Sequence, residues 1–320
     1  MVDGGMALAT TSPWLTVVMP VHAGEGFLAA TLDSLVAQFD DGIEIILIDS
    51  SPDEVCLEIG RRYAHKLHIQ LIRRPDIKPW TEKTNVGVSQ ARSDHIVMLH
   101  QDDLWLPGRV KSMRQWISAA PGAAVQFAPT AIIAEDGRRV GAWRCPLEAG
   151  PIDTGTICSR LIVQNFVSVP APLFRRDAFI GVGGMDNSLW YTADWDLWLK
   201  LAQHGPVIYN PEVTAAFRVH GKSLTMSGSR NLADFVDQME IVVKRYASKS
   251  CYETSPATHA MADASIAINA VLASAAAGKA EGVFSAIRSF LSLRPVSMLR
   301  YLHYSRLLER VLSRVRAGLL

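Results

Sequence analysis

The chain has 320 residues, of which 49% are hydrophobic, and its formal net charge is +1 at pH 7. This length predicts one large or two modest domains, and a charge so near zero disfavours proteins that bind nucleic acid through a basic surface. The four cysteines lack the spacing of zinc sites or disulfide frameworks, which favours a reducing compartment. Residues 1–13 lack the features of a secretory signal, and no apolar run is long enough to cross a membrane. We therefore expect a flexible leader over 1–13 and a cytoplasmic protein with no nucleic-acid partner.

The first predicted strand covers 15–19 and is stopped by Pro20, and a helix follows in which apolar residues recur at helical spacing. A second strand over 43–48 ends at Asp49. The segment after it has capping-box spacing, so Ser51 is expected to cap the next helix. That leaves Asp49 without a local structural partner at the end of a strand, and we expect it to face a ligand.

Two further strands continue this alternation. The third covers 68–72, a helix follows over 82–92, and the fourth strand ends in His100-Gln101-Asp102-Asp103. Strands that alternate with helices predict parallel βαβ units, in which the carboxyl ends of the strands share one edge of the sheet. Ligands bind at that edge, and a carboxylate pair beside a histidine suits a hard divalent cation. The alternative is that the two aspartates only turn the chain before the next helix.

Two nucleotide-binding fingerprints are absent from the sequence. No G-x-G-x-x-G follows the first strand, and the chain has no G-x-x-x-x-G-K-[ST] loop. A diphosphate would therefore have to be held without a glycine cradle, and a metal ion that bridges the two phosphates can do that.

Five segments follow one another at 17–21, 31–38, 46–53, 85–87 and 99–103, and four more lie at 169–176, 181–186, 192–202 and 217–220. In this order they resemble the nucleotide-binding half and then the acceptor-side segments of family-two glycosyltransferases, which have the GT-A fold. The resemblance implies an enzyme that moves a sugar from a nucleotide-diphosphate donor to a hydroxyl group.

The resemblance also implies an α/β fold of GT-A type, with a Rossmann-like, mostly parallel sheet and a mixed-sheet half that shapes the acceptor site. Strands over 125–133 and 138–143 flank Glu135-Asp136-Gly137, which predicts a hairpin in that half. We expect the catalytic domain to cover 14–228. Over 229–320 the patterns are helical and rich in alanine, and the resemblance does not extend there.

In such enzymes a D-x-D signature after the fourth strand binds the metal with its last aspartate, and the matching residue here is Asp102. His100 stands where the first aspartate is usual, and an imidazole can bind a metal or donate a hydrogen bond. Arg218 and His220 match a basic pair beside the donor diphosphate. The implied donor-binding residues are Pro20, Val21, His22, Asp49, Asn85, His100, Asp102, Asp103 and Arg218. The implied metal ligands are Asp102 and His220, and the implied cofactor is Mn²⁺ or Mg²⁺.

The family's catalytic aspartate is matched by Asp194, which follows Ala193 where glutamate is usual. On its own, an acid in the first turn of a helix would be expected only to complement the helix dipole. The resemblance implies that Asp194 acts as general base, with Asp196 as the next candidate, in a metal-assisted displacement that inverts the anomeric centre. Family usage favours a UDP-sugar donor and a glycan or lipid-linked acceptor, in the synthesis of surface polysaccharide or glycoconjugate.

Two other functions stay open. A noncatalytic relative that only binds nucleotide sugars is encouraged by His100 and Ala193, which stand where acids are common. A sugar nucleotidyltransferase has a similar early strand order, but it would carry a glycine-rich loop with a basic residue after the first strand. This chain has His22-Ala23-Gly24-Glu25 there. Retention of Asp102 and Asp194 favours the transferase.

The last apolar pattern predicts one helix over about 296–316, with an apolar side and a basic side. The apolar side consists of Tyr301, Tyr304, Leu308, Val311, Leu312 and Val315, and the basic side of His303, Arg306, Arg310 and Arg314. Such a helix could rest on the inner face of a membrane or on a partner subunit. The simpler alternative is that the apolar side packs on the protein's own domain and leaves the arginines in solvent.

Overall fold

A computed structural model gives the fold of the chain. It describes residues 12–38, 40–221, 223, 231–247, 255–276, 278–279 and 281–318. Most of the expected leader and the expected domain boundary at 228–229 lie outside the described residues. Within them, helices follow most strands up to residue 119, strands and helices are mixed up to 218, and the elements beyond are helices.

The amino-terminal half forms the parallel part of the main sheet. Its elements are β1 (Leu15–Val21), α1 (Leu28–Val36), β2 (Ile43–Asp49), α2 (Val55–Tyr63), β3 (His68–Arg73), α3 (Trp80–Gln90) and β4 (His95–Met98). The strands lie in the order β3-β2-β1-β4 and all run parallel, as the alternating pattern predicted. β1 and β2 are buried along their whole length because both faces of the sheet are covered, which accounts for their largely apolar sequences.

The second half extends this sheet with strands of both directions and adds a smaller sheet. Its elements are β5 (Leu104–Trp105), α4 (Arg109–Ala119), β6 (Val125–Phe127), β7 (Thr130–Ile133), β8 (Arg139–Trp143), β9 (Gly150–Ile152), α5 (Thr154–Val163), β10 (Leu173–Arg175), α6 (Arg176–Gly181), α7 (Ala193–His204), β11 (Val207–Tyr209) and β12 (Ala215–Arg218). The main sheet has the order β3-β2-β1-β4-β10-β6-β11-β9, in which β10 runs antiparallel to β4. The smaller sheet has the order β5-β12-β7-β8. The expected mixed-sheet half is therefore confirmed.

The predicted hairpin is present, since β7 and β8 pair in antiparallel fashion. The single strand predicted over 125–133 is wrong, because that segment divides into β6 of the main sheet and β7 of the smaller one. Pro129 lies at the division. Proline has no backbone N–H for a ladder hydrogen bond, so the strand is interrupted there and the chain changes sheets.

The core lies on both sides of the main sheet. Alternate residues of β1 point to opposite sides, with Val17 and Met19 in one apolar cluster and Val18 in the other. The cluster around Val18 includes Trp198 of α7, which is fully buried and contacts the rings of Phe127 and Phe174. This packing fixes α7 rigidly against the sheet.

The prediction that Ser51 caps α2 is wrong. The helix begins at Val55, whose amide donates to Asp53 Oδ1 at 3.2 Å and not to Ser51. The Ser51 hydroxyl instead donates to Asp49 Oδ1 at 2.5 Å, and the Ser51 amide donates to the same oxygen at 2.9 Å. Asp49 is fully buried, where a charged oxygen without donors is far more costly than a solvated helix end. Asp49 therefore has a local partner, contrary to expectation, but only through one of its two oxygens.

The carboxyl-terminal region is helical, as predicted. Its described elements are α8 (Leu232–Ala247), α9 (Pro256–Ala276), α10 (Val283–Leu291), α11 (Pro295–Ser305) and α12 (Leu307–Arg316). The region packs on the rest of the chain, with α9 and α11 against α5 and with α12 against β8. None of the described helices combines the length and the apolar character needed to span a bilayer.

The single helix predicted over 296–316 is also wrong. The chain turns at Arg306, whose left-handed φ of 48° separates α11 from α12. The simpler alternative, in which the apolar side of the helix is buried and its arginines lie in solvent, does not hold for α12. There Arg310 is buried and Leu308 is 70% exposed. The Arg310 guanidinium is held inside by the amide oxygens of two buried side chains, to which it donates. These hydrogen bonds outweigh the apolar pattern of the helix.

Candidate active site

The polar residues that follow β4 form a compact cluster of candidate metal ligands. One side-chain atom from each of His100, Asp102 and Asp103 lies within 4.8 Å of the other two. His100 Nε2 is buried and has no hydrogen-bond partner among the described residues. An imidazole nitrogen without a partner, beside carboxylates, is a donor set that suits a divalent cation. The residues present therefore fit a metal site.

Asp102 is held in place by His220. His220 Nε2 lies 2.9 Å from Asp102 Oδ2. Burial acts to raise the pKa of Asp102, but the hydrogen bond from His220 and the charges of the two neighbouring imidazoles outweigh it and lower the pKa below its usual value. The carboxylate is therefore ionised where a cation would bind. His220 contacts Asp102 directly in this arrangement, and its role as a metal ligand stays a prediction.

Asp103 and Arg218 form a buried support beneath this cluster. The Asp103 carboxylate accepts a hydrogen bond from the Arg218 amide at 3.0 Å, and burial together with the charge of Asp102 raises the pKa of Asp103 well above its usual value. The Arg218 guanidinium donates to the carbonyl oxygens of Asp102 at 2.7 Å and Glu135 at 2.8 Å. These hydrogen bonds hold Arg218 against the backbone of the loop after β4 and of the turn between β7 and β8. Donor contacts from Asp103 and Arg218 stay predictions.

The ends of β1 and β2 build the neighbouring part of the rim. Pro20 and Val21 are buried at the end of β1. His22 is exposed, and its Nδ1 lies 3.0 Å from the Ser50 carbonyl oxygen. Asp49 Oδ1 is engaged locally, whereas Oδ2 is buried and has no hydrogen-bond partner among the described residues. A buried carboxylate oxygen without a partner is suited to accept a hydrogen bond from a ligand.

A lysine that the sequence patterns did not single out lies beneath this part of the rim. Lys83 is 2% exposed, and its Nζ donates to the Val21 carbonyl and to Ser50 Oγ, both at 2.8 Å. Burial lowers the pKa of Lys83 to about 8, although the charge of Asp49 acts to raise it. Lys83 lies on the same buried face of α3 as Thr84. A lysine on a buried helix face needs polar partners, so this position could have marked it as a candidate.

Gln101 joins the two parts of the rim. The His22 amide donates to Gln101 Oε1 at 2.7 Å, and Gln101 Nε2 donates to the His22 carbonyl at 3.0 Å. A side chain at Gly24 would place its Cβ 2.4 Å from Gln101 Oε1, so Gln101 would have to move if this residue were larger than glycine. The loops after β1 and β4 are therefore held in fixed relative positions.

The side chain of Asn85 forms its hydrogen bonds with a different segment of the chain. Its Nδ2 donates to the Met185 carbonyl and its Oδ1 accepts from the Met185 amide, both at 2.9 Å. Gly184 has a left-handed φ of 67°, and a Cβ there would lie 2.7 Å from Asn85 Oδ1, so this position favours glycine. Asn85 therefore ties α3 to the segment before α7, and its predicted contact with the donor gains no support from these bonds.

Trp80 connects the ligand cluster to the segment that leads into α7. Its ring meets the His100 ring edge to face, with the centroids 5.1 Å apart. Its Nε1 donates to the Trp190 carbonyl at 2.9 Å, four residues before Asp194. One indole ring therefore contacts both the cluster after β4 and the segment that leads into α7.

Asp194 lies in the first turn of α7 and is partly exposed to solvent. Burial raises the pKa of Asp194 to about 6, although a hydrogen bond from Asn165 Nδ2 at 3.0 Å acts to lower it. A carboxylate with a pKa near neutrality is well matched to accept a proton. Asp196 is fully buried and is paired with Lys200 and Arg245, each at 2.7 Å, so it is not free to act as a base. The contacts therefore favour Asp194 over Asp196.

Asn165, which no sequence motif marked, is itself held by the carboxyl-terminal helices. Gln164 Nε2 donates to the Asn165 carbonyl at 3.1 Å. Gln164 Oε1 accepts from Asn269 Nδ2 at 2.8 Å and from Ser265 Oγ and Arg310 Nη1, both at 2.9 Å. Residues of α9 and α12 thus fix the backbone that positions the side chain next to Asp194.

Two solved structures share this architecture. The structure of S. aureus TarS 1-349 in complex with UDP-GlcNAc superposes with a TM-score of 0.64 at 15% identity, and covers 95% of this chain and 90% of that one. This chain spans 55% of the longer TarS chain. Mannosyltransferase PcManGT from Pyrobaculum calidifontis, in complex with GDP-Man and Mn²⁺, gives a TM-score of 0.56 at 17% identity, covering 97% and 88%. These likenesses show a GT-A fold.

Sequence comparison agrees with the fold. The O-antigen biosynthesis glycosyltransferase WbnJ of Escherichia coli is 24% identical over 224 residues, which covers 67% of this chain and 82% of WbnJ. The profile of Glycosyl transferase family 2 matches residues 16–183, just over half of the chain. The chain therefore belongs to glycosyl transferase family 2.

Proposed function

We propose that this glycosyltransferase moves a sugar from a nucleotide-diphosphate donor to a hydroxyl group of a glycan or lipid-linked acceptor, with inversion at the anomeric carbon. The observation that carries the proposal is that Trp80 contacts two sites, one directly and one through the segment that leads into α7. One is the ligand cluster around His100, and the other is Asp194, with its pKa raised to about 6. The first suits a diphosphate held through a cation, and the second suits removal of the acceptor proton.

Asp194 acts as the general base. A carboxylate oxygen accepts the proton of the acceptor hydroxyl while the hydroxyl oxygen bonds to the anomeric carbon, and the bond from that carbon to the diphosphate oxygen breaks. The nucleoside diphosphate leaves from the opposite face, so one displacement inverts the configuration. Asn165 donates to Oδ2, which orients the carboxylate. General-base assistance of this kind is typically worth about a hundred to ten thousand fold in rate.

The proposed cofactor is Mn²⁺ rather than Mg²⁺. His100 and Asp102 would hold it, and His220 would orient Asp102 or join it as a ligand. Mg²⁺ prefers oxygen ligands only, whereas a transition metal such as Mn²⁺ accepts an imidazole nitrogen more readily. When bound, the cation would neutralise the negative charge that grows on the leaving diphosphate. The presence of Mn²⁺ in the PcManGT complex supports this assignment.

The proposed donor is a UDP-sugar. Asp49 Oδ2 has no described partner, so it can accept a hydrogen bond from the ring N–H of uracil or guanine. Adenine and neutral cytosine have no such ring N–H and could donate to Asp49 only through their exocyclic amino groups, so uracil and guanine are the first candidates. TarS was solved with UDP-GlcNAc, which supports uracil as the first choice. The name of WbnJ, which refers to O-antigen biosynthesis, supports a role in surface polysaccharide synthesis.

Thermal-shift measurements with UDP-, GDP-, ADP- and CDP-sugars, each with and without Mn²⁺, test the donor and metal assignments. A donor present at about a hundred times its Kd should stabilise the native state by roughly 2.7 kcal/mol. We expect a Mn²⁺-dependent shift with a UDP-sugar and none with ADP- or CDP-sugars. Slow release of UDP from that donor, in the absence of acceptor, separates an enzyme from a relative that only binds. Metal-independent binding would contradict the metal site, and binding without any turnover would favour the noncatalytic alternative.

We also propose that the catalytic domain covers 14–228 and that the helices beyond it form an appendage, which packs on the domain through α5 and β8. A cytoplasmic location is proposed for the enzyme. Cys56 and Cys145 are buried free thiols, which supports a reducing compartment.

A further inference from the structure

Exposed large apolar side chains are concentrated in the last three helices. Among the described residues, ten of thirteen such side chains lie in α10, α11 and α12, and the other three are scattered. Phe284 is 81% exposed, Leu299 71% and Leu308 70%. Single exposed apolar residues are ordinary, but a concentration of them in one region marks an interaction surface.

These side chains form one stripe on each helix. Their spacing is mostly three or four residues, so the members of each stripe lie on one side of their helix. The stripes are Val283, Phe284, Ile287 and Leu291 on α10, Val296, Leu299 and Leu302 on α11, and Leu308, Leu312 and Val315 on α12. Other sides of the same helices are buried at Ala286, Tyr301 and Arg310. The stripes are therefore the sides that the described part of the chain leaves uncovered.

The charge around the stripes is almost entirely positive. Exposed arginines occur at 288, 294, 300 and 316. Between 283 and 316 the one acidic residue is Glu309. Its Oε1 is already paired, since it lies 3.5 Å from Arg144 Nη1 and 3.8 Å from Arg306 Nη1. Arg316 also donates to the Val140 carbonyl oxygen at 3.2 Å. Apolar stripes with exposed guanidinium groups, and no unpaired carboxylate between 283 and 316, fit a partner whose interior is apolar and whose edge is negative.

We propose that the stripes of α10, α11 and α12 dock on a bilayer surface that contains anionic lipid. The apolar side chains would enter the boundary between headgroups and acyl chains, and the exposed arginines would contact lipid phosphates. A second copy of this chain fits less well, because its own arginines would face the same positive surface. This inference concerns a surface separate from the proposed chemistry, and it holds whether or not the donor assignment is correct.

Flotation of the full chain with vesicles tests the proposal. Vesicles of phosphatidylcholine alone are compared with vesicles that also contain phosphatidylglycerol, at low and high salt. We expect binding to the anionic vesicles only, weakened by salt. The double variant Phe284→Asn, Leu299→Asn should lose binding, whereas Ile180→Asn, at a residue 53% exposed outside these helices, should keep it.

A charge variant tests the electrostatic part separately. Replacing Arg288, Arg294 and Arg300 together with glutamine should weaken binding to anionic vesicles about a hundredfold at low salt, since each arginine contributes about fivefold. Absence of binding to anionic vesicles at low salt, or equal binding to both kinds of vesicle, would overturn the proposal. A dimer that Phe284→Asn disrupts, without any vesicle binding, would assign the stripes to a second copy and would also overturn it.

Discussion

Replacing Asp194 with asparagine tests the raised pKa and the general-base role together. Burial raises the pKa of Asp194 from 3.8 to about 6. One pKa unit corresponds to about 1.4 kcal/mol, so the charged form costs the folded protein about 3 kcal/mol once the pH exceeds the folded-state pKa. Asparagine keeps the shape and can still accept from Asn165, but it carries no charge. We expect Asp194→Asn to be more stable than the wild type at neutral pH and to lose about a hundredfold or more in turnover.

The stability difference should depend on pH in a defined way. Because the folded-state pKa is raised above the unfolded value, protonation of Asp194 favours the folded wild type at low pH, and this advantage is lost as the pH rises through about 6. The variant does not titrate at this position. Its free energy of unfolding should therefore exceed that of the wild type by about 0.5 kcal/mol near pH 4 and by about 3 kcal/mol near pH 8. Urea unfolding at several pH values measures this difference.

Two controls make the result decisive. Asp237→Asn on α8, at an exposed carboxylate, should change stability by a small amount that does not grow with pH. Wild-type kcat/KM should fall about tenfold per pH unit below about pH 6, as the base becomes protonated. A stability difference for Asp194→Asn that stays constant between pH 5 and pH 8 would refute the raised pKa. Normal turnover in that variant would place the base elsewhere.

Three further substitutions address the donor side. Asp102→Asn should remove the Mn²⁺-dependent part of the thermal shift caused by the donor, since an amide lacks the charge that holds a hard cation, and an unchanged shift would exclude Asp102 from the metal site. His100→Asp should improve the affinity for Mg²⁺ relative to Mn²⁺ in metal titrations, whereas an unchanged ratio would exclude His100 as a ligand. Asp49→Asn should weaken the preference for UDP- over CDP-sugars in competition assays, while Asp53→Asn, at a nearby exposed residue, should keep it.

The parallel half of the fold could be predicted because its signals are local. Apolar runs define β1 to β4, and the alternation with helices implies parallel order, so the carboxyl ends of β2 and β4 meet at one edge. His100 and Asp102 could then be identified as candidate site residues, because they lie directly after β4. The predicted capping by Ser51 failed for a different reason, since the burial of Asp49 depends on tertiary packing and changes which hydrogen bond is preferred.

The supports of the site could not be predicted, because they join residues that are far apart in the chain. Asn165 and Asp194 are 29 positions apart, and Gln101 bonds to His22 across 79 positions. Lys83 can support the site only because the folded chain brings it to the ends of β1 and β2, where it donates its hydrogen bonds. Such contacts depend on the packing of whole elements, for which a single sequence supplies no spacing rule. The residues that do the proposed chemistry were found by motif, as was His220, which holds Asp102, whereas Asn165 and Lys83 were found only in the structure.

The carboxyl-terminal helices are coupled to the active site by buried polar groups, which determines how their function has to be tested. Arg310 of α12 donates to Gln164 and to Asn269, and Gln164 in turn holds the backbone of Asn165 beside Asp194. Removing α12 would leave Asn269 Oδ1 without this donor, and each buried polar group so abandoned costs about 1–3 kcal/mol. That cost would fall on the residues next to Asp194, the proposed general base. A truncated chain would therefore change catalysis and membrane binding together, whereas substitutions in the exposed stripes leave the Arg310 contacts intact and separate the two effects.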